Sequence, residues 1–381
     1  MVIIHVMGGL GNQLYQYAMY EKLKSMGKEV KLDFYAYTEA MGEEREWRKL
    51  ELTRFEGIEY EVCTKEERTR LLDNSMTFAN RIRRKLLGRQ DKTFHEKSNY
   101  MPELFEKDEI YLYGFWDCEK YYEDRISALQ RKLIFPQSSN PKNHECMEQM
   151  KREQAVSVHI RRTDYLAVAD GKRYMGICTD DYYASAMRFI RERVENPVFY
   201  IFSDDVSYVR EHYQGEDIRI VDWNTGEDSL FDMQLMSKCK HNICANSTFS
   251  FWGARLNQNP HKLMIRPLRH DNYESITASQ MHENWPGWIL IDAEGNVIEV
   301  TGRDAIAYDK QVQKDIGGEI TDSDFENAVR HYQECLSSYG VTKTNELPNG
   351  VYEKEIHPYE PLYRSIMYGF EDPATGIVPT I

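Results

Sequence analysis

The sequence predicts an α/β protein with parallel sheets, built as two domains and a short C-terminal extension. Strand and helix patterns alternate at the start of the chain and again after residue 155, as they do where helices connect parallel strands. Between these stretches, residues 136–141 have the composition of a linker. We therefore expect domains at residues 1–145 and 146–300, followed by an extension at residues 301–381.

The composition restricts the functional class. The chain has 381 residues, of which 41% are hydrophobic and 29% are charged, as expected of a globular protein large enough for two domains. Its formal net charge of −14 argues against a general nucleic-acid binder, whose affinity would come from counterion release. The seven cysteines are odd in number and form no Cys-x-x-Cys pair, so neither a disulfide framework nor a zinc site is predicted.

The sequence predicts a cytoplasmic protein. The N-terminus lacks a positively charged region and resembles a first strand rather than a signal peptide. No apolar run is long enough to span a bilayer. One segment, Arg81 to Arg89, combines basic and apolar residues at helical spacing, and it could contact an anionic membrane surface or a glycolipid acceptor. The alternative is a solvated helix face, so peripheral binding at the inner face of the membrane stays open.

The first turn of the chain is rich in glycine. A strand over residues 2–7 is followed by Gly8-Gly9-Leu10-Gly11-Asn12-Gln13, a helix, and a second strand that carries Asp33. Such glycines let the backbone approach a ligand, and Asp33 lies where a dinucleotide-binding fold carries its ribose-binding acid. Against a dinucleotide, Leu14 occupies the position of the third glycine. The remaining alternative is that the glycines only form a tight turn.

A later strand ends in two arginines. Residues 156–160 alternate apolar side chains with Ser157 and His159, which predicts a strand. Arg161 and Arg162 follow at its carboxyl end, where ligands bind in open α/β sheets. If the strand continues through them, their side chains lie on opposite sides of the backbone. Their forked donors suit phosphate oxygens, although both arginines could instead form surface ion pairs.

The next strands also end in polar turns. Ser203-Asp204-Asp205 follows a buried strand, and adjacent aspartates there indicate a metal site or a helix N-cap. Asn246-Ser247-Thr248 joins a strand to a helix, where backbone N–H groups and the helix dipole would make an anion site. Together with the arginines, this second anion site indicates a phosphorylated ligand.

The extension carries a helix pattern. A helix is predicted at residues 321–340, and one of its faces is apolar: Phe325, Val329, Tyr332 and Leu336. We expect this unit to dock on the main body or on a second subunit, which would give a homo-oligomer.

Four blocks in the chain resemble glycosyltransferase family 11, the α-1,2-fucosyltransferases that use GDP-fucose. The blocks, which follow in the family's order, are Gly8-Gly9-Leu10-Gly11-Asn12-Gln13, His159-Ile160-Arg161-Arg162-Thr163-Asp164-Tyr165, Phe202-Ser203-Asp204-Asp205, and Asp232 through Trp252. In the last block, Phe251 stands where the family usually shows a second tryptophan, which keeps an aromatic ring. The resemblance ends at about residue 300, beyond which no counterpart is recognised.

The resemblance implies a GT-B architecture, in which two Rossmann-like domains face a cleft and the second domain holds the nucleotide sugar. By similarity to the α-1,6- and protein O-fucosyltransferases, His159 and Asp232 would bind guanine. Arg161 and Arg162 would bind the phosphates, with Asp164 orienting both arginines. Further contacts with GDP-fucose are implied for residues of the polar and glycine-rich turns: Gly9, Gly11, Ser203, Asn246, Ser247 and Thr248.

The implied reaction is inverting transfer of L-fucose to the 2-hydroxyl of a terminal galactose on a glycan or glycolipid. We expect Arg161 and Arg162 to stabilise the departing GDP without a metal or another cofactor, since the Asp204-Asp205 pair follows a different strand. Asn12 and Gln13 should act by positioning, because amides do not titrate near neutral pH, and Asp204 is the candidate base. The alternatives are a sugar-nucleotide-binding regulatory or scaffold protein without transfer activity, and an NAD-dependent oxidoreductase.

Overall fold

The structure, a computed structural model, describes residues 1–40, 46, 48–163, 165, 171–273, 276–298, 330, 334 and 336–339. Asp164, which was expected to orient the arginines, lies outside the described residues, as does most of the extension. The chain forms two compact units. One consists of residues 1–164 and 196–262, and the other of residues 165–195 and the described residues from 263 onward. The expected domain boundaries at residues 145 and 300 stay predictions.

Helices and strands alternate in a mixed α/β fold. In chain order they are β1 (Val2–His5), α1 (Leu10–Ser25), β2 (Val30–Asp33), α2 (Tyr35–Thr38), α3 (Lys65–Leu72), α4 (Phe78–Leu87), β3 (Thr93–His95), β4 (Ile110–Tyr113), α5 (Ile126–Lys132), α6 (Pro141–Arg152), β5 (Gln154–Ile160), α7 (Gly171–Tyr174), α8 (Asp180–Arg193), β6 (Pro197–Ser203), α9 (Val206–His212), β7 (Ile218–Val221), α10 (Leu230–Lys238), β8 (His241–Ile243), α11 (Thr248–Leu256), β9 (Met264–Pro267), α12 (Ala278–Asn284), β10 (Ile289–Ile291) and β11 (Val297–Ile298).

The first unit opens with a four-stranded parallel sheet of order β2-β1-β4-β3. Its first strand is apolar throughout Val2–Ile4 because parallel sheets are normally covered on both faces. Helix α1 follows the glycine turn and is buried on nearly all sides. Gly27, at φ +79°, lies just beyond the end of this helix, where a left-handed backbone favours glycine. The predicted strand–helix–strand opening is confirmed.

Four further strands of this unit are parallel, in the order β8-β5-β6-β7. Strand β5 is central, and every residue from 155 to 160 is buried. Its register pairs Ile160 with Ser203, so β5 and β6 end side by side. Since β8 runs parallel to β5 on the other side, the loops after β8, β5 and β6 leave the same edge of the sheet. Ligands of open α/β sheets bind at such an edge.

The second unit contains α7, α8, β9, α12, β10 and β11. Strands β9 and β10 pair in parallel, and β11 pairs with β10 in the antiparallel direction. Helix α8 begins after Thr179, whose hydroxyl accepts the N–H of Tyr182 at 3.1 Å. This capping agrees with the sequence, in which Thr179 or Asp180 precedes the helical pattern.

Part of the predicted C-terminal helix is described. Residues 330, 334 and 336–338 are helical, and Leu336 is buried, as expected for the apolar face of a helix at residues 321–340. The other residues predicted for that face lie outside the described residues, and the predicted homo-oligomer stays a prediction. No helix in the described part of the chain combines the length and apolar composition needed to cross a membrane.

The structure corrects two local predictions, the first of them in part. Residues 136–141 are not a linker throughout, because Pro141 begins α6 and the side chain of Asn140 caps it by accepting the N–H of Lys142 at 3.0 Å. Proline is favoured at the first position of a helix, so an asparagine and a proline can mark a helix start as well as a linker. Strand β5 ends at Ile160, so the two arginines lie in a loop and do not alternate across a strand.

Candidate active site

Asp204 joins the loops after β5 and β6. Its carboxylate accepts the backbone N–H of Arg162 at 2.9 Å and the hydroxyl of Thr163 at 2.6 Å. Nε of Arg161 lies 3.3 Å from the same carboxylate. Both oxygens of Asp204 are therefore engaged in holding residues 161–163, which we call the arginine loop. Asp204 thus orients the arginine loop, the role that the resemblance implied for Asp164.

Arg162 is held from two sides. Its Nε donates to Asp205 at 3.3 Å, and its guanidinium lies 3.5 Å from the centre of the Tyr208 ring, a cation–π contact. Asp205 also caps α9 by accepting the N–H of Tyr208 at 3.1 Å. The N-cap interpretation of the aspartate pair is thus confirmed for Asp205. Ser203 contributes indirectly, because its hydroxyl accepts the N–H of Asp205 at 3.0 Å.

The arginines and the aspartate pair form one cluster. As predicted, they follow different strands, and the structure shows that those strands are neighbours. Two guanidiniums and two carboxylates leave the cluster without net charge. The arginine side chains are 23% and 31% exposed, so both are within reach of a ligand. Within the described ranges, no group of three or more His, Cys, Asp or Glu side chains could hold a metal ion.

The turn after β8 meets the glycine turn of the chain. A Cβ at Gly11 would lie 2.4 Å from Oγ1 of Thr248 and 2.5 Å from its carbonyl carbon, so only glycine permits this approach. Behind this contact, the rings of Tyr15 on α1 and Trp252 on α11 pack 5.2 Å apart. The N-termini of α1 and α11 therefore lie together, and their dipoles place partial positive charge at one point.

Two polar residues of this second turn lie next to that contact. Asn246 is buried, and Ser247 is the N-cap of α11 in extended backbone conformation. The side chain of Ser247 makes no capping hydrogen bond to α11. The sequence correctly predicted the helix start, whereas the roles of Asn246, Ser247 and Thr248 towards a phosphate stay predictions.

Gln13 holds the glycine turn in place. Its side chain is fully buried, and Nε2 donates to the carbonyl oxygens of Gly8 at 2.9 Å and Lys49 at 2.8 Å. Its Oε1 accepts the N–H groups of Glu51 and Leu52, both at 2.9 Å. Gln13 therefore holds the glycine turn, and its predicted positioning role in the reaction stays a prediction.

Asn12 differs from Gln13 in its surroundings. Its side chain is partly exposed at the first turn of α1 and makes no hydrogen bond to any residue that the structure describes. Gly9 is equally open, since a Cβ there would meet no atom within 4 Å. Asn12 and Gly9 are therefore the positions of this turn that a ligand could contact directly.

Asp33 is unavailable to a nucleotide. It is 1% exposed, accepts the hydroxyl of Tyr111 at 2.7 Å and forms an ion pair with Arg68 at 3.2 Å. An acid that binds the ribose of a dinucleotide must present its carboxylate to the ligand. The dinucleotide interpretation of the first turn is therefore wrong.

Asp232 lies in the first turn of α10. It accepts a hydrogen bond from the side-chain amide of Asn224 at 2.8 Å, and Asn224 exchanges two amide hydrogen bonds with Asn143, each of 2.9 Å. Burial raises the pKa of Asp232 to about 7, against the smaller opposing effect of the Asn224 hydrogen bond. The carboxylate is costly to ionise in this position, which is typical of a group that receives its partners from a ligand.

His159 is buried at the end of β5, with its ring 5.9 Å from that of Phe249 on α11. Helices α10 and α11 pack on each other, so the two predicted guanine-binding residues belong to one packed region. The guanine contacts themselves stay predictions.

No sequence pattern indicated one ion pair that supports the site. Arg255, on the last turn of α11, donates from Nε to Glu119 at 2.7 Å, and both side chains are almost fully buried. Lys262, which lies beyond the end of the same helix, donates from Nζ to the carbonyl oxygens of Ala254 and Asn257 at 2.9 and 2.7 Å. Glu119 lies 136 residues from Arg255, a separation that no local pattern can bridge.

The fold and this site together define a mixed α/β protein in which paired arginines and paired aspartates lie at the carboxyl ends of neighbouring parallel strands. The chain belongs to glycosyltransferase family 11: the model of that family, described as glycosyl transferase family 11, matches residues 89–291. The predicted family is confirmed.

Known relatives agree with the family. The chain is 31% identical over 293 residues to the alpha-1,2-colitosyltransferase of Escherichia coli, which covers 73% of this chain and 94% of that protein. It is 29% identical over 284 residues to the O-antigen biosynthesis glycosyltransferase WbnK of Escherichia coli, covering 69% and 92%. Over 104 residues it is 35% identical to galactoside alpha-(1,2)-fucosyltransferase 1 of Leontopithecus chrysomelas, covering 26% and 28%.

A likeness to a solved structure is weaker. Fucosyltransferase NodZ from Bradyrhizobium matches with a TM-score of 0.38 and 14% identity, over 66% of this chain and 92% of that one.

Proposed function

We propose that the protein is an inverting α-1,2-fucosyltransferase. It would move L-fucose from GDP-fucose to the 2-hydroxyl of a terminal galactoside, in the synthesis of a glycan or surface polysaccharide. The observation that carries the proposal is the paired arginines at the end of β5, at the sheet edge shared with the turn that begins α11. Forked donors and helix N-termini suit a diphosphate. We also propose the GT-B arrangement, with the donor held by the second Rossmann-like domain.

In the proposed reaction, the acceptor 2-hydroxyl attacks the anomeric carbon of fucose, and the bond to the β-phosphate oxygen of GDP breaks. The acceptor proton passes to a base, and the departing GDP gains negative charge. Arg161 and Arg162 would stabilise that charge, since a guanidinium stays protonated at working pH. The proposal requires no metal ion or other cofactor.

Asp204 supports this reaction better as a positioning residue than as the base. A base needs an oxygen directed at the acceptor hydroxyl, whereas both oxygens of Asp204 accept hydrogen bonds from the arginine loop. The proposal therefore leaves the base unassigned.

Asp232 would select guanine. The pairing edge of guanine presents two adjacent N–H donors, which a carboxylate can accept together. The pKa of about 7 supports this role, because a ligand with two donors supplies the hydrogen bonds that the ionised form lacks in its buried position.

The donor sugar has a second candidate. The relative that is 31% identical and spans 73% of this chain is named a colitosyltransferase. Colitose is fucose without its 3-hydroxyl group. An enzyme that hydrogen-bonds this hydroxyl should reject colitose strongly, whereas a purely apolar contact would accept both sugars.

The test uses the purified full chain with GDP-fucose or GDP-colitose and a panel of terminal β-galactosides, lactose among them. We expect acceptor-dependent release of GDP from at least GDP-fucose, and an α-1,2 linkage in the product by nuclear magnetic resonance. If GDP binds but no galactoside accelerates its release from either donor, the regulatory or scaffold alternative replaces the proposal.

A further inference from the structure

Helix α4 exposes its apolar residues. None of the ten residues from Phe78 to Leu87 is buried. Phe78 and Leu86 are 78% and 77% exposed, and Ile82 between them is 44% exposed. Because a helix has about 3.6 residues per turn, three residues at intervals of four form a stripe on one face. We call these three residues the apolar stripe.

The opposite side of α4 attaches it to the protein. Arg83 forms an ion pair with the buried carboxylate of Asp73, and Arg84 donates to the carbonyl oxygen of Asp73 at 3.1 Å. A surface helix normally turns its apolar face to the core and its charged face to water. In α4 this orientation is reversed, since arginines face the body and the apolar stripe faces outward.

Exposed cations flank the apolar stripe. Arg81 and Lys85 are exposed and lie beside it on the helix surface. From residue 74 to residue 90 the chain contains no acidic residue, while five basic residues occur: Arg81, Arg83, Arg84, Lys85 and Arg89. The whole chain, in contrast, has a net charge of −14.

This combination fits an anionic membrane surface. A helix lying in the interface inserts large apolar side chains at the boundary of the acyl chains, while arginine and lysine bind the phosphate groups of the lipids. The rest of this acidic protein is repelled by anionic lipids, so the basic segment is the part that can approach them. The distribution of charge therefore favours an anionic membrane as the surface that contacts the apolar stripe.

We propose that α4 docks the protein on a bilayer rich in anionic phospholipids, with the apolar stripe inserted and Arg81 and Lys85 at the headgroups. The proposal is independent of the proposed transfer reaction, because none of the residues of α4 belongs to the candidate active site.

The test measures co-sedimentation of the purified full chain with vesicles. One set contains phosphatidylglycerol mixed with phosphatidylcholine, and the other contains phosphatidylcholine alone. We expect binding to the anionic set only, weakened by added salt because the headgroup contacts are electrostatic. Absence of binding to the anionic vesicles by the wild type would overturn the proposal.

Variants separate the two contributions. Replacing the apolar stripe by serine (Phe78→Ser, Ile82→Ser, Leu86→Ser) should weaken binding by about tenfold or more, since inserted apolar surface supplies much of interfacial affinity. The matched control changes three exposed apolar residues elsewhere: Met26→Ser, Val62→Ser and Tyr273→Ser. Equal binding by the stripe variant and the wild type would contradict insertion.

The charge variant is Arg81→Gln with Lys85→Gln, and its control is the exposed pair Lys151→Gln with Arg152→Gln on α6. Only the former should weaken binding to anionic vesicles. Circular dichroism and the thermal midpoint should be unchanged in the stripe variant because the stripe is not buried. If the stripe instead mediates contact with a second copy, serine will change the oligomeric state by ultracentrifugation, and the membrane proposal fails.

Discussion

Nε of Arg161 lies 3.3 Å from the carboxylate of Asp204, which also accepts the backbone N–H of the next residue. The side chain of Asp204, on the loop after β6, thus holds both a guanidinium and the backbone of the loop after β5. The position of the arginines depends on this carboxylate more than on their own strand, which ends before them.

Asp204→Asn should lower turnover at every pH by a similar factor, about tenfold or more, because the amide keeps one acceptor oxygen but loses the ion pair. The measurement is kcat against pH for both proteins. Asp222→Asn is the control, since Asp222 also pairs with an arginine, Arg210, outside the site. If the variant loses the acidic limb of the pH profile, Asp204 is the base after all.

Lysine at the arginine that contacts the β-phosphate should reduce turnover by roughly 10²- to 10³-fold, because it keeps the charge but loses the planar fork. Arg161→Lys and Arg162→Lys are measured separately, with Arg210→Lys as the control that changes an arginine paired with Asp222. Excess EDTA should leave the wild type active. Activity that EDTA abolishes and manganese restores would contradict a mechanism based on arginine.

GDP affinity should fall as the pH is lowered through about 7, by up to about tenfold per pH unit, because guanine requires the carboxylate of Asp232 and its pKa is about 7. Calorimetry of the wild type is compared with Asp232→Asn, in which the ionisation of GDP itself still occurs. The variant should bind tens-fold more weakly and lose this extra pH dependence. Parallel pH curves would exclude Asp232 from guanine binding.

The same pKa has the opposite effect on stability. Asp232 holds its proton more tightly in the folded protein than in the unfolded chain. Its contribution to the free energy of unfolding is therefore complete below a pH of about 4 and is lost as the pH rises to about 7. Low pH thus increases the contribution of Asp232 to the free energy of unfolding, whereas it weakens the proposed binding of guanine.

Gly11→Ala should destabilise the protein by about 1–3 kcal/mol, the usual cost of overpacking, because its Cβ would overlap Thr248 at 2.4 Å. Gly9→Ala is the matched control two residues away, where φ is −75° and a Cβ meets no atom within 4 Å. Thermal unfolding checks both. Equal stability of the two variants would mean that the close approach of α1 and α11 does not require glycine.

The sequence predicted the elements whose signals are local. Strand β5, the helix start at Thr248 and the end of α1 before Gly27 follow from apolar alternation, a polar turn and a glycine. The linker predicted at residues 136–141 ends at Asn140, because proline and asparagine serve a helix start as well as a loop.

The contacts that complete the site join distant residues, and no spacing in the sequence shows them. Asn143 and Asn224, which support Asp232, lie 81 residues apart, and Gln13 finds its acceptors and donors in residues 49–52. The ion pairs between the arginine loop and the aspartate pair required knowing that β5 and β6 are neighbours in the sheet. Residue types alone indicated an anion site, whereas its internal pairing needed the topology.

The contact between Gly11 and Thr248 also sets an order of assembly during synthesis. At a ribosomal rate of about 5–20 residues per second, the glycine turn emerges roughly ten to fifty seconds before α11 can reach it. Contacts between such distant parts form late, since a long loop must first be closed. A nascent chain that stops before residue 248 therefore leaves the glycine face of α1 uncovered, available to chaperones or to neighbouring chains.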